Sequence, residues 1–371
     1  MDNVTDKEGK YFSLDKLDLK REYKVFLKGA LDKLARTNSR IIVDHAKYMK
    51  ISKGMSTAIK IVIKVDGLYP LLAKMDIKEE IIKEYEGYQT LQFNMESSNL
   101  VSLLMLEENE HFGMLLYRYI TKGRVKYQYD RFDTYLSKVD LAHANEMTIS
   151  LIDNIFDVAL KKCHWRDGQA IMQPSNWKDL CQLKFEDSLF TQEEQLHINQ
   201  IYQNNIKKCK EIRVPHGIIH GDLHPKNVII GLNNIPIIID YAHVKPEGCI
   251  FHDYAKLETF FLFQVQSDIS KQFFEIKSVA SLFQRQYSTD PLILPRSTHD
   301  PISRAIQEIR TLLWKNCLSN TIGMDHQDID TYYRAYLTYY FIQLCRRGGV
   351  SELTRKRSFQ AILTLNAISE Q

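Results

Sequence analysis

Hydrophobic and polar positions alternate most strictly at Ile59, Ile61, Ile63 and Val65, which are interleaved with Lys60, Val62 and Lys64. A period of two puts the first set on one face of a half-buried strand. The run before it, Ile51-Ser52-Lys53-Gly54-Met55-Ser56-Thr57-Ala58, gathers small residues about Gly54 and predicts the turn of a hairpin. After Asp66-Gly67 a third apolar run, Leu71-Leu72-Ala73, ends at Lys74. The period then changes to that of a helix. Asp76 and Glu79 have the spacing of a capping box, and Ile77, Ile81, Tyr88 and Leu91 form one stripe. Glu84 falls on that stripe, while Glu86 points off it. A carboxylate facing a core needs a partner, because burying it unpaired is costly. Lys74, at the end of the neighbouring strand, is the natural one.

The same reading places a polar lead and a helix at the N-terminus, with Tyr23, Phe26, Leu27, Leu31 and Leu34 on one stripe that ends near Thr37-Asn38, followed by a short strand from Ser39 to Val43. Phe112 to Ile120 is an apolar strand that runs into Thr121-Lys122-Gly123. Residues 125–190 are helix-rich and carry no legible motif. Thr191 and Glu194 form a second capping box, opening a helix to Lys210 that feeds Val214 to Ile219. Beyond 255 the pattern is helical to the end. There Tyr332, Tyr333, Tyr336, Tyr339 and Tyr340 recur at helical spacing, which reads as core, with an aromatic cage for a cation as the sharper alternative. Arg346-Arg347 and Arg355-Lys356-Arg357 read as a solvated face, with an anionic substrate or partner as the alternative.

The chemistry concentrates in His220-Gly221-Asp222-Leu223-His224-Pro225-Lys226-Asn227 and, a short turn later, Ile237-Ile238-Ile239-Asp240. Between them Val228-Ile229-Ile230 and Ile235 to Ile239 flank Gly231-Leu232-Asn233-Asn234, the pattern of a hairpin. Such a hairpin brings its ends together, so that Asp222, Asn227 and Asp240 meet at one mouth. Hard oxygen ligands of this kind suit Mg²⁺, which binds through one or two protein groups plus the phosphates of a nucleotide. The remaining carboxylate, Asp222, is free to take a proton from an attacking hydroxyl and to orient it. A different chemistry, a zinc hydrolase built on His220, Asp222, His224, Asp240 and His243, would use the same residues as metal ligands.

The segment resembles the catalytic loop of the aminoglycoside phosphotransferase and choline kinase superfamily, His-Gly-Asp-x-His-x-x-Asn followed by Ile-Asp, a relative of the eukaryotic protein kinases. The resemblance implies that Asp222 is the catalytic base, that Asn227 and Asp240 are catalytic metal ligands for Mg²⁺, and that His220 and His224 support the loop. It makes Lys74 and Glu84 the kinase ion pair that holds the ATP phosphates, places Gly54 and Ser56 in the loop over those phosphates, and makes Asp253, in Phe251-His252-Asp253-Tyr254, a brace for the catalytic loop. The implied fold is α+β and two-lobed, protein-kinase-like: an N-lobe of antiparallel sheet plus helix over 45–122, preceded by a helical extension over 1–44, and a mostly helical C-lobe over 123–371 with the catalytic loop. Thr121-Lys122-Gly123 would be the interlobe hinge. Beyond Asp240 the sequence runs Tyr241-Ala242-His243 and does not follow the Asp-Phe-Gly of protein kinases, which speaks against kinase-like switching at that point.

Composition narrows the class. A chain of 371 residues that is 44% hydrophobic and 26% charged has ample material for a core. Its net charge of +3 is too mild to argue for nucleic acid. The six cysteines are scattered without CxxC pairs, the N-terminus lacks the form of a signal peptide, and no apolar run reaches the length of a membrane span. The expectation is a cytoplasmic ATP- and Mg²⁺-dependent kinase acting on a hydroxyl of a small molecule, lipid or protein, with a catalytically silent nucleotide-binding scaffold as the alternative. Aminoglycoside pockets need clustered carboxylates for a polycation; the C-terminal third has none, and its basic stretch leans toward an anionic acceptor instead.

Overall fold

The alternating run at 59–65 is β2 of an antiparallel sheet whose order is β1-β2-β3-β5-β4. The strands are β1 (Ile42–Ile51), β2 (Ile59–Asp66), β3 (Leu71–Ile77), β4 (Leu103–Glu108) and β5 (Phe112–Arg118). The structure, a computed structural model, describes residues 11–37, 42–51, 58–66, 69–120, 131–136, 138–140, 142–143, 146–151, 164–167, 185, 188–209, 213–231, 235–263, 306–314, 326–347 and 349–369. Ile61, Ile63 and Val65 point to one face of the sheet, where they join Leu71, Ala73, Met75, Met114 and Leu116 in a core. Helix α1 (Arg21–Thr37) covers that face with Leu27, Ala30 and Leu31. The other face carries Lys60, Lys74 and Leu115 in register with one another and Tyr117 opposite Leu72, and it receives helix α2 (Lys78–Gln92).

The helix start differs from the capping box read in the sequence. β3 stays paired with β5 as far as Ile77 opposite Phe112, so the backbone of Asp76 and Ile77 remains extended. The helix begins at Lys78 with Ile77 at its N-cap and without a side-chain cap, and the Asp76 carboxylate accepts the N–H of Ile77 at 2.9 Å. Ile77 is accordingly 50% exposed, whereas Ile81, Glu84, Tyr88 and Leu91 are buried.

The C-terminal part is mostly helical. Short helix α3 (Phe132–Leu136) is followed by α4 (Gln192–Cys209), whose capping box is reciprocal: Thr191 donates its N–H to Glu194 Oε2 at 2.8 Å and Glu194 donates its N–H to Thr191 Oγ1 at 3.2 Å. β6 (His164–Asp167) lies inside the segment read as helix-rich; it pairs with β7 (Arg213–Ile219), which pairs in turn with β10 (Lys245–Cys249). Four residues are too few to show a period, so this strand exists by pairing alone. β8 (Val228–Ile230) and β9 (Pro236–Ile238) form the anticipated hairpin. Helices α5 (Phe251–Phe263), α6 (306–314), α7 (His326–Arg346) and α8 (Glu352–Ser369) complete the described chain.

One large core joins the two parts: Ile81, Tyr88, Leu91, Leu115 and Tyr117 pack in the same cluster as Leu223, Tyr241, Phe251 and Phe341. Tyr332, Tyr333, Tyr336 and Tyr340 are buried in it. The basic run is not one solvated face: Arg355 is buried and donates to the carbonyl of Cys345 at 2.8 Å, tying α8 to the end of α7, and Lys356 pairs with Glu352 along the helix.

Glu258 of α5 and Arg310 of α6 are fully buried, with Arg310 Nε 3.0 Å from Glu258 Oε2 and the Tyr333 hydroxyl of α7 donating to the same oxygen at 2.6 Å. Removing the cation alone leaves a buried carboxylate unpaired. Arg310→Met is expected to cost about 3–5 kcal/mol in urea unfolding, and Arg310→Met with Glu258→Gln to recover more than half of that loss.

Candidate active site

β7 delivers the chain to His220, and the first turn of α5 then takes hold of the loop that follows. The Asp253 carboxylate accepts the N–H of His220 at 2.6 Å and the N–H of Gly221 at 2.9 Å, while His252 Nε2 lies 3.0 Å from the Gly221 carbonyl. Gly221 adopts φ +76°, and a Cβ there would run into the carbonyl oxygen of His243, so only glycine fits. The Asp222 N–H points at His220 Nδ1 (3.3 Å), which makes that nitrogen the acceptor; Nε2 therefore carries the proton and donates to the Ile239 carbonyl at 3.1 Å. A neutral imidazole thus ties the loop to the residue before Asp240. His224 Nδ1 accepts the Lys226 N–H at 3.2 Å and caps the single 3₁₀ turn Pro225–Asn227, and its ring stacks on Phe260 with centroids 4.3 Å apart.

These constraints bring Asp222, Asn227 and Asp240 to one end of the β8–β9 hairpin. Val228 pairs with Ile238, and the Ile239 N–H donates to the Asn227 carbonyl at 3.0 Å. Asn227 Nδ2 donates to the Asp222 carbonyl at 3.0 Å and to Asp222 Oδ2 at 3.2 Å. Two oxygens facing one end of the amide settle its orientation, and among the described residues its Oδ1 is left as the open, acceptor-only atom. Asp240, at φ +68° in a region that Asp tolerates better than most residues, binds through Oδ1 alone among the described contacts. One open hard oxygen on each of two adjacent side chains is the donor set that fits Mg²⁺ completed by phosphate oxygens. Asp222 is held ionised. Burial presses its carboxyl up, but His224, with Nε2 at 3.6 Å, and the Lys256 ammonium in contact with Oδ1 outweigh that and hold it well below the usual carboxylate range.

Lys74 of β3 reaches into this arrangement from the sheet. Its ammonium touches Glu84 of α2 and lies 2.8 Å from Asp240 Oδ1. Tyr117 of β5 donates to the other Glu84 oxygen at 3.0 Å. Burial alone would push the Lys74 ammonium down; the two carboxylates reverse this and keep it charged. Lys60 stands directly across from Lys74 in the β2–β3 register, and burial, then the Lys74 charge, pushes it down. Helix α2 can bring Glu84 this close because Gly87 lies against the Tyr241 carbonyl, where a Cβ would collide. Tyr88 meets the Tyr241 ring edge-on at 5.3 Å, and the Tyr241 hydroxyl donates to the Ile238 carbonyl at 2.6 Å.

Of the residues singled out in the sequence, Lys74, Glu84, His220, Asp222, His224, Asn227, Asp240 and Asp253 are therefore one connected cluster, and Gly54 and Ser56 lie outside the described residues. Lys256, His252, Tyr117 and Tyr241 were not anticipated. The first two had a signal: Lys256 follows His252 by four positions and Asp253 by three, the spacings that put side chains on one side of a helix. Among the described residues no three His, Cys, Asp or Glu side chains converge to cage a metal ion, and both ring nitrogens of His220 are spent on backbone groups, which disfavours the zinc arrangement.

A family model described as ternary complex associated domain 9 matches residues 194–317, less than half of the chain. No curated protein sequence matches it. Among solved structures, the choline kinase LicA from Streptococcus pneumoniae superposes with a TM-score of 0.52 at 14% identity, covering 92% of this chain and 98% of its own. Aminoglycoside phosphotransferase APH(4)-Ia gives 0.50 at 13% identity, covering 93% and 98%. The chain has the aminoglycoside phosphotransferase and choline kinase fold. Amicoumacin kinase hAmiN, determined in complex with AMP-PNP, Ca²⁺ and Ami, matches with a TM-score of 0.50 at 10% identity over 93% of this chain and 96% of its own. At these identities the likeness is one of fold. Among the described residues no helix of this kinase-like fold is long and apolar enough to cross a membrane.

The clamp on the kinase-like loop carries its own pH response. Burial pushes His220 and His252 each down to about 4 and pushes Asp253 up to about 6 against its two backbone hydrogen bonds. A histidine kept neutral by the fold contributes stability that is complete above its ordinary 6.5 and is lost as pH falls toward 4. Asp253 has the opposite sign: its contribution is complete below its ordinary 3.8 and is lost as pH rises through about 6. The two histidine terms oppose those of Asp253 and of Glu84, which burial also pushes up, and each histidine term is worth up to about 1.4 kcal/mol per pH unit of stability lost on acidification. In urea unfolding His252→Gln, which keeps a donor for Gly221, is expected to lose less stability on acidification than the wild type, by up to about 1.4 kcal/mol per pH unit; a slope equal to the wild type's would remove His252 from this account.

Proposed function

We propose that the protein is an ATP-dependent phosphotransferase that moves the γ-phosphate to a hydroxyl. The observation that carries this reading is the Lys74 ammonium held between Glu84 and Asp240, with Asn227 and Asp222 at the mouth of the same hairpin, in a chain of this fold. Lys74 would neutralise the α- and β-phosphates and Glu84 would keep it aimed, with Lys60 adding a second positive charge on the same face of the sheet. The Gly54–Ser56 turn would lie over the phosphates, offering backbone N–H groups. Asn227 Oδ1 and Asp240 would hold Mg²⁺, which when bound neutralises phosphate charge. Asp222 would orient the acceptor hydroxyl. Being held well below the usual carboxylate range, it is a weak base, and its main work is positioning, with the proton arriving late in the transfer. The AMP-PNP complex of hAmiN supports a nucleotide in a cleft of this fold.

The acceptor is a small-molecule, lipid or protein hydroxyl. Arg355 and Lys356 are engaged within α7 and α8, so they give the anionic-acceptor idea no support. A second reading, a nucleotide-binding member of a larger assembly without turnover, draws on the ternary complex associated family model, whose match includes the His220–Asn227 loop.

The deciding experiment incubates the protein with γ-labelled ATP, Mg²⁺ and a fractionated cell extract, beside Asp222→Asn and Asp240→Asn. The expected outcome is label transferred by the wild type, with both variants lower by about 10²–10⁴-fold. Bound ATP with no transfer above the variants would favour the assembly reading. In the same assay Lys74→Met is expected to raise the KM for ATP and to lower kcat as well, since its interactions serve both the ground state and the transition state.

A further inference from the structure

The first two turns of α5 set three side chains on the His220–Asn227 loop, and two of them serve its backbone. Asp253 and His252 satisfy N–H and C=O groups of His220 and Gly221. Lys256 differs: its ammonium contacts Oδ1 of Asp222 itself. Asp222 Oδ2 is already served by Asn227 Nδ2 at 3.2 Å and faces His224 Nε2 at 3.6 Å, so the loop aims this carboxylate without Lys256. The ammonium is itself aimed. It lies 5.7 Å from the centroid of the Tyr340 ring, whose hydroxyl is 2.9 Å from His252, and the Lys256 side chain remains 19% exposed.

Under the phosphotransferase reading, on which this inference rests, Asp222 must approach both the acceptor hydroxyl and the γ-phosphate. Two anions then face each other, while Lys74 and the Asn227–Asp240 pair serve the phosphates from the other side. We propose that Lys256 is a catalytic residue of the transfer, its ammonium bridging Asp222 and the γ-phosphoryl oxygens. As the acceptor oxygen bonds to the γ-phosphorus, the bond from that phosphorus to the β–γ bridging oxygen breaks, and ADP leaves with the bridging oxygen and the electron pair. The hydroxyl proton passes to Asp222 and then to solvent. Lys256 keeps its proton throughout and offsets the repulsion between the carboxylate and the transferring group.

The test compares calorimetric binding of Mg²⁺-AMP-PNP and Mg²⁺-ADP by the wild type, Lys256→Met and Lys256→Arg, with thermal unfolding as the control for fold. A contact to the γ-phosphate predicts that Lys256→Met loses about tenfold in affinity for AMP-PNP while ADP binding moves by less than about twofold, and that Lys256→Arg keeps the wild-type ratio. Asp222→Asn gives an independent readout: with the carboxylate charge gone, AMP-PNP is held more tightly than by the wild type. An equal change for both nucleotides in Lys256→Met, or weaker AMP-PNP binding by Asp222→Asn, overturns the role of Lys256 and leaves the kinase reading standing. A wild type that binds neither nucleotide overturns the kinase reading, and this inference with it.

Discussion

The structure turns on one buried ammonium. Lys74 leaves the sheet, is nearly inaccessible, and is compensated by one carboxylate from α2 and one from the loop after β9. A cation in such a place is tolerable only when its partners are held in place, because losing either leaves charge uncompensated in a poorly solvated site. The surrounding structure supplies that hold. Gly87 lets α2 close on the Tyr241 carbonyl, Tyr88 packs on the Tyr241 ring, and Tyr117 takes up the free oxygen of Glu84. Whatever fixes the backbone beside Asp240 therefore also fixes the helix that carries Glu84, and the sheet-bearing and helical parts meet through a shared core rather than through the ion pair alone.

The second constraint is local. His220 and Gly221 would leave buried N–H groups without partners, and the Asp253 carboxylate meets both. That carboxylate is buried at an energetic cost, visible in its upward shift to about 6, which its two backbone hydrogen bonds offset only in part. The result is a loop whose side chains are oriented before any ligand arrives, the condition under which fixed charges contribute most to a transition state. Gly221 and Asp240, both in the left-handed region, are the two points where the backbone bends to allow it.

The helical part acts mainly as a foundation for this loop. The tyrosines of α7 form its core, and two of them touch α5 chemically: Tyr333 through Glu258 and Tyr340 through His252. Arg355, in the run that looked like a charged surface, is a buried clamp between α7 and α8. Residues of α5 thus face two ways, toward the loop with His252, Asp253 and Lys256 and toward the helical core with Glu258 and Phe261.

By itself the sequence determined the strands with strict alternation, the hairpin between Asn227 and Asp240, the Thr191 capping box and the pairing of Lys74 with Glu84. Each of these follows from short-range periodicity or from the intolerance of a buried charge for isolation, and both are written in local order. The tertiary structure decided what depends on partners distant in the chain. It extended β3 through Ile77 because β5 continued beside it, and so cancelled the capping box at Asp76. It made a strand of His164–Asp167 because β7 offered an edge. It turned Arg355 inward and set Lys256 on Asp222, 34 positions away in sequence. No periodicity records such a contact, because it arises only when a helix packs against a loop and the few side chains on the meeting faces find one another.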